Sequence, residues 1–371
     1  MGKKERKRLY DNEAQFLGLN IKTHDKGRKT ARYFLDKKEL KLLKELRLNQ
    51  EKNTPLSIKS TSTLVDSKGE IKLQWIKRDK TEEDRLLALR TAIDTLKEDI
   101  KPTTRVSRIN KVTNNKLCNQ YTLTDFHLGM MSWDEETGDN WDLKIAEDTL
   151  VRFFEIAMVE SPNAEECIFA QIGDFLHWDG LDAVTPASKH VLDADTRFTK
   201  LVRVAIRVIR RVIKMLLTKY KKVTVIMAEG NHDPASSVWL REVLSSFYED
   251  EPRLFIETNP DPYYCVVFGE NCLFYHHSHL KRIKNIDTTF VGKFKKEFGN
   301  SKYVYGHTGH LHHELKIESN LMVLEQHRTL ASKDAYASRG GYLSGRDSKV
   351  ITYHKEHGEV KRSTININML K

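Results

Sequence analysis

The chain of 371 residues is 39% hydrophobic and 31% charged, enough for one large α/β domain with a sizeable core and a smaller module beside it. No apolar run approaches the roughly 18 residues that a transmembrane helix requires, and Met1-Gly2-Lys3-Lys4-Glu5-Arg6-Lys7-Arg8 lacks the apolar centre of a secretory signal, so the expectation is a soluble, cytoplasmic protein. Of the formal net charge of +10, residues 1–116 carry +13 (30 Lys+Arg against 17 Asp+Glu) and residues 117–371 carry −3 (32 against 35).

That basic excess points either to a polyanionic partner for the N-terminal third, nucleic acid foremost, or to a solubilising arm. Residues 1–25 are charged and patternless and read as a tail or a marginal first helix. From 28 to 48, Leu35, Leu40, Leu42, Leu43, Leu46 and Leu48 recur at helical spacing, with Asp36 and Glu39 as a capping box. A turn follows at Asn53-Thr54-Pro55. Residues 60–65 and 70–77 read as two strands of a hairpin about Asp66-Ser67-Lys68-Gly69. Helices followed by a basic hairpin give the order of a winged helix-turn-helix, which other small α+β modules share. A helix at 81–100 and a polar linker at 102–116 complete this part. The expected organisation is a tail (1–25), a basic accessory module (26–101), the linker, and an α/β domain over 117–371.

Beyond the linker, strand and helix alternate. Apolar runs at 121–124, 167–172 and 223–227 each end at a polar motif, with helical stretches at 141–160 and 194–221 between them. After Asp261 the apolar runs shorten (264–268, 272–275, 303–305, 321–325), which predicts a second, more antiparallel sheet. The helical stretch from Thr196 also carries a stripe of Lys200, Arg203, Arg207, Arg210, Arg211 and Lys214, read as a solvated face in preference to a phosphate-contacting one. Cys118, Cys167, Cys265 and Cys272 form no CxxC pair and read as buried reduced thiols; a disulfide between Cys265 and Cys272 would need the two to face each other in a hairpin.

Five motifs fall in one order along this part: Asp125-Phe126-His127, Gly173-Asp174-Phe175-Leu176-His177, Gly230-Asn231-His232-Asp233, His276-His277 and Gly309-His310-Leu311-His312. Fourteen of the 15 histidines lie after residue 116, so the enrichment follows the motifs. Carboxylate, imidazole and amide ligands gathered at strand ends are what a pair of divalent cations needs, and such a pair supplies the acidified water and the positive charge that phosphoester hydrolysis requires at neutral pH. Asp125 and His127, and likewise His310 and His312, are two residues apart, so extended backbone would turn each pair to one side. Arg328, Arg339 and Arg346 lie in a Ser-, Gly- and Tyr-rich stretch, and Arg339 and Arg346 are candidates to hold phosphate oxygens.

On these motifs, residues 117–330 resemble the calcineurin-like metallophosphoesterase superfamily. Asp125-Phe126-His127-Leu128-Gly129 and the second motif's His177 look most like the SbcD-type repair nucleases, and the whole chain resembles phosphoesterases of tailed phages and prophages. The resemblance implies a helix-flanked β-sandwich. It makes Asp125, His127 and His312 ligands of one metal and Asn231, His277 and His310 ligands of the other, with Asp174 bridging both. It gives His232 the role of protonating the leaving oxygen or stabilising the phosphoryl group, and His177 that of helping to position substrate. A one-residue shift would make His276 the ligand in place of His277. Manganese is the expected metal, with iron, nickel or zinc as alternatives. The expected function is hydrolysis of phosphodiesters in nucleic acid. The alternatives are a phosphodiesterase or phosphatase for a small nucleotide, and a nucleic-acid-binding regulator whose phosphoesterase domain no longer turns over. Protein partners, such as the ATPase that SbcD-type nucleases work with, are not legible.

Overall fold

In the computed structural model the chain divides into two compact units, Met1–Thr91 and Ala92–Lys371. The structure describes residues 113–371 and, before them, residues 5–9, 14, 17–19, 31–35, 40–43, 57–65 and 71–79.

In the first unit β1 (Glu5–Leu9) pairs antiparallel with β2 (Ala31–Leu35), and β3 (Ser57–Val65) with β4 (Ile71–Asp79). The second pair covers the two strands expected at 60–65 and 70–77. The first pair corrects two expectations: β1 lies in the segment read as a tail, and β2 opens the segment read as a helix. Pairing with β1 gives the segment a ladder of main-chain hydrogen bonds. Within the segment read as a helix, helical geometry is described at residues 40–43, where Leu43 joins Ala14 and Leu35 in a small core. The capping box, the turns about Asn53-Thr54-Pro55 and Asp66-Ser67-Lys68-Gly69, the helix at 81–100 and linker residues 102–112 lie outside the described residues.

The first described element of the second unit is β5 (Asn114–Leu123), which takes up the last residues expected of the linker. Then come α1 (Asp134–Thr137), α2 (Leu143–Glu160), β6 (Ala164–Ile172), α3 (Phe198–Lys219), β7 (Lys222–Ala228), α4 (Pro234–Phe247) and β8 (Leu254–Ile256). Asp142 starts α2 by accepting the Ile145 N–H at 2.7 Å, and α3 buries the apolar face whose periodicity the sequence displays. Residues of β6 and β7 are buried almost without interruption, as in a parallel strand covered on both faces. After β9 (Tyr264–Phe268) and β10 (Asn271–Tyr275) follow α5 (Asp287–Lys293), α6 (Lys295–Gly299), β11 (Tyr303–Thr308), β12 (Leu315–Glu318) and β13 (Val323–Gln326). The chain closes with α7 (Ala335–Arg339), β14 (Asp347–His354) and β15 (Gly358–Asn366).

One sheet runs β15-β14-β5-β6-β7-β8, parallel from β5 to β8 with β14 and β15 antiparallel at one side. The other runs β12-β13-β11-β10-β9 and is mixed, where the sequence predicts a more antiparallel one. The helices between β10 and β11 form a crossover connection, so β11 enters parallel to β10, and β13 is parallel to β11 in turn. The sheets share one core, in which Ile168, Ile172 and Ile226 meet Leu273, Tyr275 and Tyr353. Phe274, Ile286, Phe290 and Leu324 cover the far side of the second sheet, while α2 packs on α3 and β15. This is the two-sheet, helix-flanked sandwich expected.

Within the basic stripe of α3, Arg207 and Arg211 pair with Glu147 and Glu155 of α2. The four cysteines are free thiols, with Cys265 Sγ and Cys272 Sγ 3.4 Å apart. Among the described residues no helix is long and apolar enough to cross a membrane.

Candidate metal centre

All five motifs lie just beyond strand ends, the first three after β5, β6 and β7 of one sheet and the last two after β10 and β11 of the other. Main-chain hydrogen bonds lace the loops together: Asp125 N–H donates to the Gly173 carbonyl at 3.0 Å, His127 N–H to Asp174 at 3.1 Å and Gly309 N–H to His277 at 3.2 Å. Two motif glycines are demanded by close approach. A Cβ on Gly230 would stand 1.9 Å from Asp174 Oδ1, and one on Gly309 would stand 1.8 Å from Thr124 Oγ1.

The backbone here departs from the extended form that the two-residue spacings suggest. Asp125, His127, Asp174, His310 and His312 all have positive φ, between 46° and 79°. Side chains of each spaced pair therefore converge through left-handed turns and not through strand alternation. Such conformations cost energy for non-glycine residues, and their concentration in five candidate ligands marks a built site.

Each carboxylate has one oxygen tied down and the other turned inward. Asp125 Oδ2 accepts from Thr124 Oγ1 at 2.5 Å and from His310 N–H at 2.8 Å, while its Oδ1 is buried without a hydrogen bond, 3.1 Å from His312 Nε2. Asp174 Oδ1 accepts the His232 N–H at 2.8 Å, and its Oδ2 lies 3.0 Å from His277 Nε2. His277 donates Nδ1–H to the Ile172 carbonyl at 2.8 Å, which leaves Nε2 for the centre. His276 turns away: its ring stacks on Tyr263 and its Nδ1 accepts the Ser278 N–H.

The donor set fits divalent cations. Asp125, His127 and His312 bring one donor atom each within 4.8 Å of one another, as do Asp174, His277 and His310. His127 Nε2 and His312 Nε2 are 3.3 Å apart, about the spacing of two imidazoles on one ion with metal–nitrogen bonds of roughly 2.0–2.1 Å. Asn231 Oδ1 is buried with no hydrogen-bond partner, an orphan whose need a cation meets. Charge agrees. Burial opposes ionisation of Asp125, but His312 and His277 outweigh it and hold its carboxyl below the usual carboxylate range. Burial also opposes charge on His277, yet Asp174 and Asp125 push it up to about 10. Two carboxylates that draw a buried imidazole into its charged form are asking for positive charge.

His127, Asp174, Asn231, His232, His310 and His312 line a cavity of about 610 Å³, whose opposite wall is the segment from Thr329 to Arg346. His232 donates Nδ1–H to the His177 carbonyl at 2.8 Å, so its other nitrogen is the one available for proton transfer. His177, expected near substrate, is buried and absent from the cavity wall. Its Nδ1 faces His127 Nδ1 at 3.3 Å and its ring stacks on that of His232, so it can fix those two rings. Burial, with the neighbouring His232, lowers His177 to about 3.

Arg339 and Arg346, expected to hold phosphate, are engaged in bracing. Arg339 pairs with Glu136 at 2.8 Å and does not line the cavity; Arg346 lines it but binds Asp139 and the Leu330 carbonyl. Arg328 pairs with Asp347 at 2.8 Å. The sequence reading missed Thr329, whose hydroxyl donates to the Asp125 carbonyl at 2.6 Å and pins the strained turn; a lone Thr 204 residues away carries no local signal. Asp233 accepts from Gly230 N–H at 3.0 Å and Leu176 N–H at 2.9 Å, joining the second and third motif loops, and makes no side-chain cap to α4. Burial and Asp174 push its carboxyl up to about 8.

A second buried histidine group does not suit a metal. His307 bonds His327 and Tyr353 through its two ring nitrogens at 2.9 Å each, and Glu325 is held by Lys349 and Arg362. His313 is exposed, its Nδ1 bonded to the Leu311 carbonyl.

No protein-family model and no curated protein matches the chain. Among solved structures it is similar to an archaeal phosphodiesterase (16% identity, 67% of this chain and 99% of that one, TM-score 0.34). It is also similar to the 5'-nucleotidase of Candida albicans (13%, 71% and 53%, TM-score 0.32) and to a predicted phosphoesterase of Streptococcus pneumoniae (9%, 67% and 98%, TM-score 0.29).

Proposed function

We propose that this chain is a two-metal phosphoesterase of the calcineurin-like kind, cleaving phosphodiester bonds in nucleic acid. The observation that carries the reading is the convergence of seven donors from five loops with their unpaired atoms inward. Asp125, His127 and His312 would hold one cation, Asn231, His277 and His310 the other, and Asp174 both. Mixed imidazole and oxygen donors suit manganese, iron, nickel or zinc better than calcium. Bound cations supply the acidified water and the positive charge for in-line displacement at phosphorus. His232, on the cavity wall, would hand a proton to the departing oxygen, a role supported by its bond to the His177 carbonyl, which orients the ring. The charge of +13 on residues 1–116 supports a polymeric substrate, gripped by the N-terminal third.

A second reading, a small nucleotide as substrate, is favoured by the cavity, whose volume of about 610 Å³ is in the range of small-molecule sites. The test is manganese-dependent hydrolysis of bis-p-nitrophenyl phosphate beside labelled single- and double-stranded DNA, with Asp174→Ala and His232→Ala as controls. DNA cleavage lost in both variants supports the nuclease. Cleavage of the small diester alone selects the second reading. Metal binding with no cleavage of anything returns the chain to a nucleic-acid-binding regulator.

A further inference from the structure

The wall facing the candidate metal centre carries a feature that the hydrolytic chemistry does not use. Tyr336, Tyr342 and Leu343 line the same cavity as His127, Asp174, Asn231 and His232, and they are 77%, 61% and 82% exposed. A single exposed apolar side chain needs no explanation, but three in one short segment at the mouth of a reactive site form a patch. The two tyrosine rings lie 6.5 Å apart, inclined by 29°.

The patch is also held in place. Asp334 caps α7 by accepting the Ala337 N–H at 2.7 Å, Tyr342 N–H donates to the Ala337 carbonyl at 3.0 Å, and Ser338 Oγ reaches the Glu136 carbonyl at 2.7 Å. Arg339, between the two tyrosines, and Arg346, just after Leu343, pair with Glu136 and Asp139. Substrate can therefore meet the aromatic faces without first ordering the segment. Phosphoesters that carry a flat ring about one sugar away from phosphorus are nucleotides, and Lys333, Asp334 and Ser344, which line the same cavity, offer polar groups for a base edge.

We propose that Tyr336 and Tyr342, with Leu343, form a nucleobase platform that seats the base next to the phosphoester at the metal centre. The inference rests on the phosphoesterase reading above and names the subsite that reading lacks. Base stacking on an aromatic side chain is worth roughly a ten- to hundredfold change in affinity.

The experiment uses the full chain with manganese and two substrate pairs: an oligonucleotide against the same oligonucleotide with abasic residues, and thymidine 5′-(p-nitrophenyl phosphate) against methyl p-nitrophenyl phosphate. The native protein is expected to prefer the base-bearing member by roughly tenfold or more in KM. Tyr336→Ala and Tyr342→Ala collapse that preference, and Tyr336→Trp keeps it. Collapse on the oligonucleotide pair assigns the platform to a polymer, and collapse on the mononucleotide pair alone assigns it to a free nucleotide. Binding is read separately, from quenching of 2-aminopurine fluorescence in the oligonucleotide, which the double alanine variant abolishes. A native protein that hydrolyses all four substrates with no preference for a base overturns the platform and leaves the phosphoesterase standing. Quenching lost in the variant, from a native protein that hydrolyses nothing, removes the phosphoesterase and leaves the platform.

Discussion

Asp233→Asn keeps the shape of the side chain and exchanges one carboxylate oxygen for an amino group. In the native site both oxygens accept buried main-chain donors, Gly230 N–H at 3.0 Å and Leu176 N–H at 2.9 Å. An amide has one acceptor, so the substitution turns a donor against a donor. A buried donor left unpaired costs about 1–3 kcal/mol, which is the expected loss of stability in the Asn variant, and Asp233→Ala, which strands both, is expected to lose more. The damage falls on the site because Leu176 precedes His177 and Gly230 precedes Asn231. Removing the partner that holds a ligand loop lowers metal affinity by roughly 10–100-fold. Urea unfolding followed by tryptophan fluorescence measures the first quantity, and calorimetric titration with manganese measures the second. An Asn variant with the native midpoint and native manganese affinity refutes the reasoning. It would mean that one accepting oxygen suffices for the two main-chain donors.

Gly309→Ala forces Thr124 and Asp125 apart, since the added carbon would stand 1.8 Å from one and 2.6 Å from the other; roughly hundredfold slower hydrolysis of bis-p-nitrophenyl phosphate is expected in a chain that still folds, and a native rate would show that the loop has room. Glu325, held ionised by His327 and Arg362 against its burial, contributes stability that is complete well above its ordinary pKa of 4.5 and lost as pH falls below it. Glu325→Gln should therefore flatten the acid limb of a stability profile and, because Lys349 and Arg362 keep Glu314 and Glu359 as partners, cost about 1–3 kcal/mol at neutral pH through the lost charged hydrogen bonds. DNA binding should weaken steeply with salt, and removing residues 1–112, which stops short of β5, should flatten that slope; an equal slope in the truncated chain would separate the basic third from binding.

The order of the motifs was legible because each follows a strand whose apolar run is visible in the sequence, and because Gly-Asn-His-Asp and Gly-His-x-His hold several donor types in a few residues. The sandwich was legible for the same reason, through the alternation that places β5, β6 and β7 with helices between them. Less of the N-terminal third could be read. The leucines between 35 and 48 suggest a helix from 28 onward, but Ala31–Leu35 pairs with Glu5–Leu9, and a partner more than twenty residues away leaves no mark on local periodicity. The same limit hid Thr329 and the bracing of Arg339 and Arg346, whose partners Glu136 and Asp139 lie some 200 residues earlier.

Backbone conformation was the least legible property, and it is the one on which the site depends. Periodicity distinguishes strand from helix but carries no sign of φ at a loop residue, so Asp125, His127, Asp174, His310 and His312 gave no warning of their left-handed turns. At roughly 1 kcal/mol or more each, five such residues hold strain comparable with the whole stability of a typical domain. The structure offsets it locally: the carboxylate of Asp125 takes the His310 N–H, that of Asp174 takes the His232 N–H, and Thr329 holds the Asp125 carbonyl, bonds that are stronger where one partner is ionised. Every one of these bonds joins a motif to another part of the chain. Hence the glycines and small polar residues around the motifs belong to the site as much as the donors do. They let five loops approach closely enough for strained residues to hold one another, and with that approach removed the same donors would relax into ordinary turns and part.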